Sequence, residues 1–170
     1  SNVFNVLISR PATVCGYSKR LRLDLTVNIL GINAIKNKNI RVFGGQQKRP
    51  NIHIDDICNF YINCIDANSE KFNNKIYNVG FENFKIIEIA NMIKKTLNLD
   101  IPIIVTKTDD IRSYHISSSK VNNVFGFYTK KKISDAVIEI QNAYNNNLIL
   151  DPFNNSSYYN IKKMQELELV

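Results

Sequence analysis

The chain has 170 residues, enough to bury a hydrophobic core in one domain or in one domain plus a fragment. Hydrophobic residues make up 44% and charged residues 22%, which is ordinary for a globular protein. A total of 22 Lys and Arg against 15 Asp and Glu gives a net charge of +7. No apolar run approaches the roughly 20 residues of a membrane span, which excludes a transmembrane helix and predicts no membrane partner.

The positive charge is spread along the chain, so we interpret most of it as a solvated, lysine-rich surface. Its two clusters, residues 19–22 and 130–132, lack interleaved aromatic residues, so no nucleic-acid partner is expected. A second interpretation is that part of the excess positive charge attracts a diphosphate ligand. Three cysteines without CxxC spacing indicate neither a disulfide scaffold nor a zinc site, and they predict a cytoplasmic protein.

The first half of the chain alternates between strand and helix patterns, which predicts an α/β fold. Its predicted elements are a strand over residues 3–8, a helix over 23–35, a strand over 40–43, a strand over 51–54 and a helix over 57–65 capped by Asp55 and Asp56.

The second half continues the alternation. Its predicted elements are a strand over residues 75–80, a helix over 86–97, a strand over 103–105, an irregular polar segment over 106–118, a helix over 119–125 stopped by Gly126, a helix over 133–144 and a short helix over 161–167.

Residues 43–56 (FGGQQKRPNIHIDD) contain a glycine turn, one arginine and a strand that feeds a helix. The planar guanidinium of Arg49 suits two phosphate oxygens, whereas the alternative is a surface arginine paired with Asp55 or Asp56. His53 lies just before the helix, and we interpret it as a packed, hydrogen-bonded histidine rather than a catalyst. His115 has no partner at metal-ligand spacing, so no metal site is predicted.

Six segments, taken in order, resemble the second half of the extended short-chain dehydrogenase/reductase superfamily, the nucleotide-sugar epimerases and dehydratases. They are RPATVCGYS from residue 10, FGGQQKRPNIHIDD from 43, KIYNVG from 75, RSYHISSSK from 112, VFGF from 124 and SSYYNIKKMQ from 156. The resemblance implies the C-terminal part of a Rossmann-like doubly wound sheet plus a small α/β substrate-binding domain.

The resemblance also implies a division of the chain. Residues 1–20 would be the last strand segment and loop of the NAD-binding Rossmann domain. Residues 21–150 would form the nucleotide-sugar-binding α/β region, and residues 151–170 a C-terminal tail.

By the same resemblance, Arg49 would bind the diphosphate, and Arg112 or Lys107 would supply a second phosphate contact. Tyr114 and Asn28 complete the expected substrate-binding set. Alternatively, both loop cations are simply exposed, and Asn28 and Asp24 are helix caps. The backbone of the cofactor-binding residues Pro11, Ala12 and Val14 would touch the nicotinamide.

Two motifs of the superfamily are missing from these 170 residues: the GxxGxxG fingerprint and the catalytic YxxxK. Residues 128–132 match YxxxK formally, but they lie in a lysine run after Gly126, and we interpret the match as chance. No catalytic residue is therefore expected here. NAD, or NADP, would be bound mainly by a missing N-terminal Rossmann half.

The expected function is the substrate-binding C-terminal portion of an NAD-dependent nucleotide-sugar epimerase or dehydratase. In such enzymes a hydride passes transiently between the sugar and NAD, and the full-length protein would bind a nucleotide-diphosphate sugar as a homodimer. Alone, this chain is expected to be inactive. The alternatives are a non-catalytic sensor or scaffold that retains the fold, and a nucleic-acid-binding module.

Overall fold

A computed structural model of the chain describes residues 4–110 and 112–169. The strands are β1 (Leu7–Pro11), β2 (Thr13–Cys15), β3 (Ile40–Phe43), β4 (Lys48–His53), β5 (Lys75–Val79), β6 (Glu82–Lys85) and β7 (Ile103–Thr106). The helices are α1 (Thr26–Asn37), α2 (Ile54–Ile65), α3 (Ile86–Thr96), α4 (Ser119–Phe125), α5 (Ile133–Asn145) and α6 (Asn160–Glu166), with 3₁₀ turns at Ser69–Lys71 and Ser156–Tyr158.

The strands form three small sheets in which parallel pairing predominates. β1 pairs with β5 and β3 pairs with β7, both in parallel. β2 lies parallel to β4, and β6 is antiparallel to β4 on its other side. Parallel strands joined through helices confirm the α/β class.

The first strand lies later than the sequence predicted. It extends through Arg10 to Pro11, whereas residues 4–6 are not in a strand and Val3 lies outside the described residues. Pairing continues beyond it, because the Ala12 N–H donates to the Val79 carbonyl at 2.7 Å. β2 then follows after a single residue and was not predicted.

Two predicted helix starts are also corrected. α1 begins at Thr26 rather than Leu23, because Leu23 lies in a turn and its N–H donates to the Tyr158 carbonyl at 2.9 Å. The N-cap of α1 is Leu25, whose side chain accepts no hydrogen bond, so Asp24 and Asn28 do not cap this helix.

α2 begins at Ile54 and is capped by His53, whose Nδ1 accepts the Asp55 N–H at 3.1 Å. The prediction that Asp55 and Asp56 cap this helix is therefore wrong. Both carboxylates instead lie in its first turn, where the helix dipole favours negative charge.

The buried apolar residues form two clusters. The larger joins α1, α3 and α5 over β3, with Val27, Ile32, Val42, Ile93 and Ile140 in its centre. The smaller joins β5, α2 and α4, with Ile52, Phe60, Tyr77, Val79 and Val121 in its centre. Within the described residues, no helix is long and apolar enough to cross a membrane.

Candidate functional site

The candidate site begins at the glycine turn between β3 and β4. Gly44 and Gly45 have φ of 75° and 103°, in the left-handed region that favours glycine. Gln47 closes the turn, because its Oε1 accepts the Gly45 N–H and its Nε2 donates to the Phe43 carbonyl, each at 2.7 Å. The turn therefore fixes where β4 starts.

Arg49 lies on β4, which begins three residues earlier than predicted because Lys48 and Arg49 pair with Lys85 and Phe84 of β6. Its guanidinium is folded against the loop segments 108–110 and 112–114. Nη2 lies 3.3 Å from Oδ2 of Asp110, and Nη1 donates to the carbonyls of Lys48 and Arg112.

The Arg49 side chain is only 12% exposed, and its Cζ lies 5.4 Å from the centre of the Tyr114 ring. A guanidinium over an aromatic ring at this distance gains cation–π attraction. The structure therefore brings together three residues that the sequence singled out: Arg49, Arg112 and Tyr114.

Asp110 is the acceptor at the centre of this group. Arg112 grips it with two parallel bonds, from Nε to Oδ1 at 2.7 Å and from Nη2 to Oδ2 at 2.8 Å. These hydrogen bonds hold the pKa of Asp110 well below its ordinary value and raise the pKa of Arg112. Asp110 is therefore ionised throughout the neutral pH range.

The loop that carries these residues is tied to the sheet at two points. Oγ of Ser113 accepts the Lys48 N–H at 3.0 Å. Asn83 exchanges two hydrogen bonds with the backbone of Ile116, at 2.9 and 3.1 Å. A segment without hydrophobic periodicity is thus positioned by polar contacts to β4 and β6.

Arg49 does not pair with Asp55 or Asp56, so that alternative is wrong. Asp56 is buried and accepts the backbone N–H groups of Lys130 and Lys131 at 3.0–3.1 Å. Asp55 Oδ2 lies 2.5 Å from Lys131 Nζ. Both carboxylates hold the segment that leads into α5.

His53 is buried and hydrogen-bonded, as the sequence predicted. Its Nε2 faces Oε2 of Glu139 at 3.0 Å. Ligand atoms of His53, Asp55 and Glu139 lie within 4.8 Å of one another. Lys131 Nζ contacts both carboxylates, at 2.5 and 2.6 Å, so an ammonium group already balances their charge.

Arg49, Asp110 and Arg112 border a cavity of about 430 Å³, here called the first cavity. Its other lining residues are Asp24, Thr26, Ile29, Leu30, Asn33, Arg41, Val42, Phe43, Gln47, Ile86 and Thr108. Arg41 and Phe43 are exposed on β3, while Ile40 and Val42 alternate with them into the core. The cavity thus combines apolar walls with three guanidinium groups.

A second cavity of about 360 Å³ lies at the ends of β1 and β2. It is lined by Pro11, Ala12, Thr13, Val14, Gly16, Ser18, Arg20, Arg22, Leu25, Asn28 and Ile54. The three residues predicted to touch the cofactor therefore share one cavity. Open α/β sheets bind ligands at this kind of place, beyond the carboxyl ends of strands.

Asn28 lies in the second cavity, apart from Arg49. Its Oδ1 accepts the Gly16 N–H at 3.1 Å and its Nδ2 donates to the Arg22 carbonyl at 2.9 Å. Because both ends of this buried amide are bonded to backbone, Asn28 fixes the loop between β2 and α1.

Lys107 lies outside both cavities. It is exposed and lines a shallow hollow with Gly44 and Asp109, so Arg112 rather than Lys107 joins Arg49. The formal YxxxK match is not a tyrosine–lysine pair on one helix, because Tyr128 is an exposed loop residue and Lys132 is the N-cap of α5.

Three residues of the first cavity were missed by the sequence reasoning. Arg41 could have been found, since strict alternation along β3 places it opposite the core. No comparable sequence pattern indicates that Gln47 and Asp110 belong to the cavity. Their partners are fixed by the turn and by a contact between segments some 60 residues apart.

Two kinds of comparison place this geometry among known proteins. The sequence model of the NAD dependent epimerase/dehydratase family matches residues 1–80. Solved structures with similar folds include the UDP-glucuronic acid 4-epimerase of Bacillus cereus, in complex with UDP-glucuronic acid and NAD. The two share 20% identity over 85% of this chain and 46% of that one, with a TM-score of 0.72.

Two further structures give the same result. The UDP-glucose 4-epimerase of Thermotoga maritima, with UDP-glucose, has 16% identity over 82% of this chain and 46% of its own, with a TM-score of 0.70. The dTDP-glucose 4,6-dehydratase of Bacillus anthracis, with NAD, has 20% identity over 85% and 46%, with a TM-score of 0.69.

The chain spans about half the length of the solved structures that it matches. Identities of this size establish the fold, and the family match establishes the sequence relationship over residues 1–80. The resemblance seen in the sequence is therefore confirmed: the chain matches the NAD dependent epimerase/dehydratase family over residues 1–80, and most of it has the fold of the nucleotide-sugar epimerases and the dehydratase compared above.

Proposed function

We propose that this chain supplies the nucleotide-sugar-binding part of an NAD- or NADP-dependent epimerase or dehydratase. The observation that carries the proposal is the placement of Arg49 and Arg112 beside one cavity of about 430 Å³. Two planar guanidinium groups beside an apolar wall suit a ligand with a diphosphate and a flat base. Residues 1–80 match a family of enzymes that work with NAD.

The ligand would run from the first cavity toward the second, past the N-terminus of α1. Thr26 of the first turn lines the first cavity, and the N-cap residue Leu25 lines the second. No side chain caps this 12-residue helix, so its first N–H groups and its dipole favour an anion there. The diphosphate would lie at this point, with the nucleoside beside Phe43 and Arg41 and the sugar toward the second cavity.

The second cavity would receive the sugar and the nicotinamide. Backbone contacts from Pro11, Ala12 and Val14 would orient the nicotinamide ring, and the amide of Asn28 would hold the loop rather than touch the ligand. NAD or NADP would supply hydride transfer when bound. This chain's own residues would bind and orient the substrate beside it.

No residue of the 170 is assigned to proton transfer, so the chain alone would not turn over. A dinucleotide-binding half with a tyrosine–lysine pair would have to complete the site. That half, and a homodimer of the full-length protein, remain part of the proposal.

Nucleotide binding is the direct test. UDP-, GDP- and dTDP-sugars would be titrated into the chain by calorimetry, with Arg49→Ala, Arg49→Lys and Lys95→Ala as variants. Loss of charged hydrogen bonds should weaken binding about 10- to 100-fold in Arg49→Ala. Arg49→Lys keeps the charge but loses the fork, so an intermediate loss is expected.

Lys95→Ala is the matched control, because Lys95 is an exposed residue of α3 outside both cavities. It removes one positive charge and should leave binding unchanged. Equal losses in Arg49→Ala and Lys95→Ala would mean non-specific attraction and contradict the proposal. No binding of any nucleotide sugar would favour the sensor or scaffold instead.

A further inference from the structure

One carboxylate holds two of the three guanidinium groups of the first cavity, those of Arg49 and Arg112. Asp110 accepts two parallel bonds from Arg112 and lies 3.3 Å from Nη2 of Arg49. It also accepts the backbone N–H of Arg112 at 3.1 Å. A fork gripping two oxygens of one anion is the geometry that arginine uses for carboxylate and phosphate alike. Asp110 therefore occupies donors that a phosphate would need.

Nη1 of Arg49 is also engaged, since it donates to two backbone carbonyls. In this state Arg49, Asp110 and Arg112 carry a summed charge of +1 instead of the +2 of two free arginines. A phosphate that approaches Arg49 and Arg112 finds both guanidinium groups already paired with the carboxylate of Asp110. Binding must exchange one anion for another.

Asp110 is placed so that such an exchange is feasible. About one third of its side chain is exposed, as is most of the Arg112 side chain, whereas Arg49 is nearly covered. The carboxylate can rotate into water while Arg49 stays in place against Tyr114. Partly exposed ion pairs of this kind contribute little free energy each, so a ligand can break them.

We infer that Asp110 is an internal competitor for the phosphate site: it holds Arg49 and Arg112 while the cavity is empty, and a diphosphate displaces it on binding. This inference rests on the proposed function. A diphosphate carries more charge and more acceptor oxygens than one carboxylate, so it displaces Asp110 where a weaker anion does not. Asp110 thereby sets the affinity of the site.

The test is calorimetric titration of UDP into the wild-type chain and the variants Asp110→Asn, Asp110→Ala and Asp109→Asn. Removing the competing charge should tighten UDP binding about five- to tenfold in both Asp110 variants, as expected for two partly exposed ion pairs. Asp110→Ala keeps the test valid if the asparagine amide still occupies the fork.

Asp109→Asn is the matched control. Asp109 is the exposed neighbour, lines the shallow hollow with Lys107, and has no ion pair within the described residues 4–110 and 112–169. It removes the same charge from the same loop, so any long-range effect on an anionic ligand should be equal. Its UDP affinity should stay within about twofold of wild type.

The outcomes separate this inference from the function on which it rests. Weaker UDP binding in the Asp110 variants would make Asp110 a ligand contact or a positioning residue and overturn the competitor role while leaving the nucleotide site. Equal gains in Asp109→Asn would overturn it as well. Absence of UDP binding in every protein would contradict the proposed function itself.

Discussion

Burial has a clear effect on the pKa of the Cys15 thiol. It lies at the end of β2, only 2% exposed, with its Sγ donating to the Ile52 carbonyl at 3.5 Å. Desolvation, with smaller effects of Glu82, Glu139 and Asp56, raises the pKa of Cys15 to about 12 from an ordinary 9.0. The thiol is therefore inert at neutral pH, although its chain neighbours Val14 and Gly16 line the second cavity.

This shift predicts a loss of stability at alkaline pH. Between pH 9.0 and about 12 the unfolded chain ionises Cys15 while the folded chain keeps the proton, so the free energy of unfolding falls as the pH rises. One such proton contributes at most about 1.4 kcal/mol per pH unit. Urea unfolding at several pH values measures the slope.

Cys15→Ser is the matched variant, because a serine hydroxyl can donate to Ile52 but does not ionise in this range. All other titrating groups are common to both proteins, so the difference in slope isolates the thiol. Identical pH dependence of the two proteins would show that Cys15 ionises normally in the folded chain.

Arg49 marks the limit of residue-scale prediction. Its identity and its place after a glycine turn can be read from the sequence, where the alternative to phosphate binding is pairing with Asp55 or Asp56. Instead it is held by Asp110 and by the Arg112 carbonyl, more than 60 positions away. No local pattern encodes such a contact, because it depends on the path of an aperiodic loop.

At the scale of elements, the helices and most strands were predictable from the sequence, whereas β2 and β6 were not. α2, α3 and α5 each bury an apolar stripe at helical spacing, so their positions follow from periodicity. β6 is four half-buried residues without alternation, and it forms only because it pairs with β4. β2 follows β1 so closely that its residues were interpreted as a loop.

Replacement of glycine by alanine should have opposite effects at Gly44, in the turn after β3, and at Gly31, inside α1. Gly44→Ala puts a Cβ 2.7 Å from Thr108 Cγ2 and 2.8 Å from Gln47 Oε1, in a left-handed conformation. Backbone strain and disturbed Gln47 hydrogen bonds should lower the free energy of unfolding by about 2–4 kcal/mol. Chemical denaturation measures this change.

Gly31→Ala is the matched comparison. Gly31 lies inside α1, and a Cβ there meets nothing within 4 Å beyond its own helix and its chain neighbours. Alanine should therefore stabilise the chain by about 0.5–1 kcal/mol through helix propensity. Destabilisation by Gly31→Ala, or a neutral Gly44→Ala, would contradict these placements.

At the scale of the whole molecule, two core clusters support the two cavities from different sides. The larger cluster backs β3 and α1, which line the first cavity, and the smaller includes Ala12, which lines the second. Residues of α1 line both cavities. The family resemblance could be read from the sequence because its segments occur in a fixed order, although each is short.

The net charge of +7 does not by itself locate a ligand site. Arg22 pairs with Asp24, and Lys131 pairs with Asp55 and Glu139, so members of both basic clusters are engaged in ion pairs. The guanidinium groups that matter to the proposed function lie elsewhere in the sequence. Total charge therefore says less about the ligand than the position of Arg49.

The central claim, that the first cavity binds a nucleotide diphosphate through Arg49, is tested most directly by mapping UDP-glucose onto the chain with amide chemical shifts. The account predicts saturable shifts concentrated at Thr26, Phe43, Arg49 and Asp110, with none at α6. Shifts concentrated away from the first cavity, or none at saturating ligand, would contradict it.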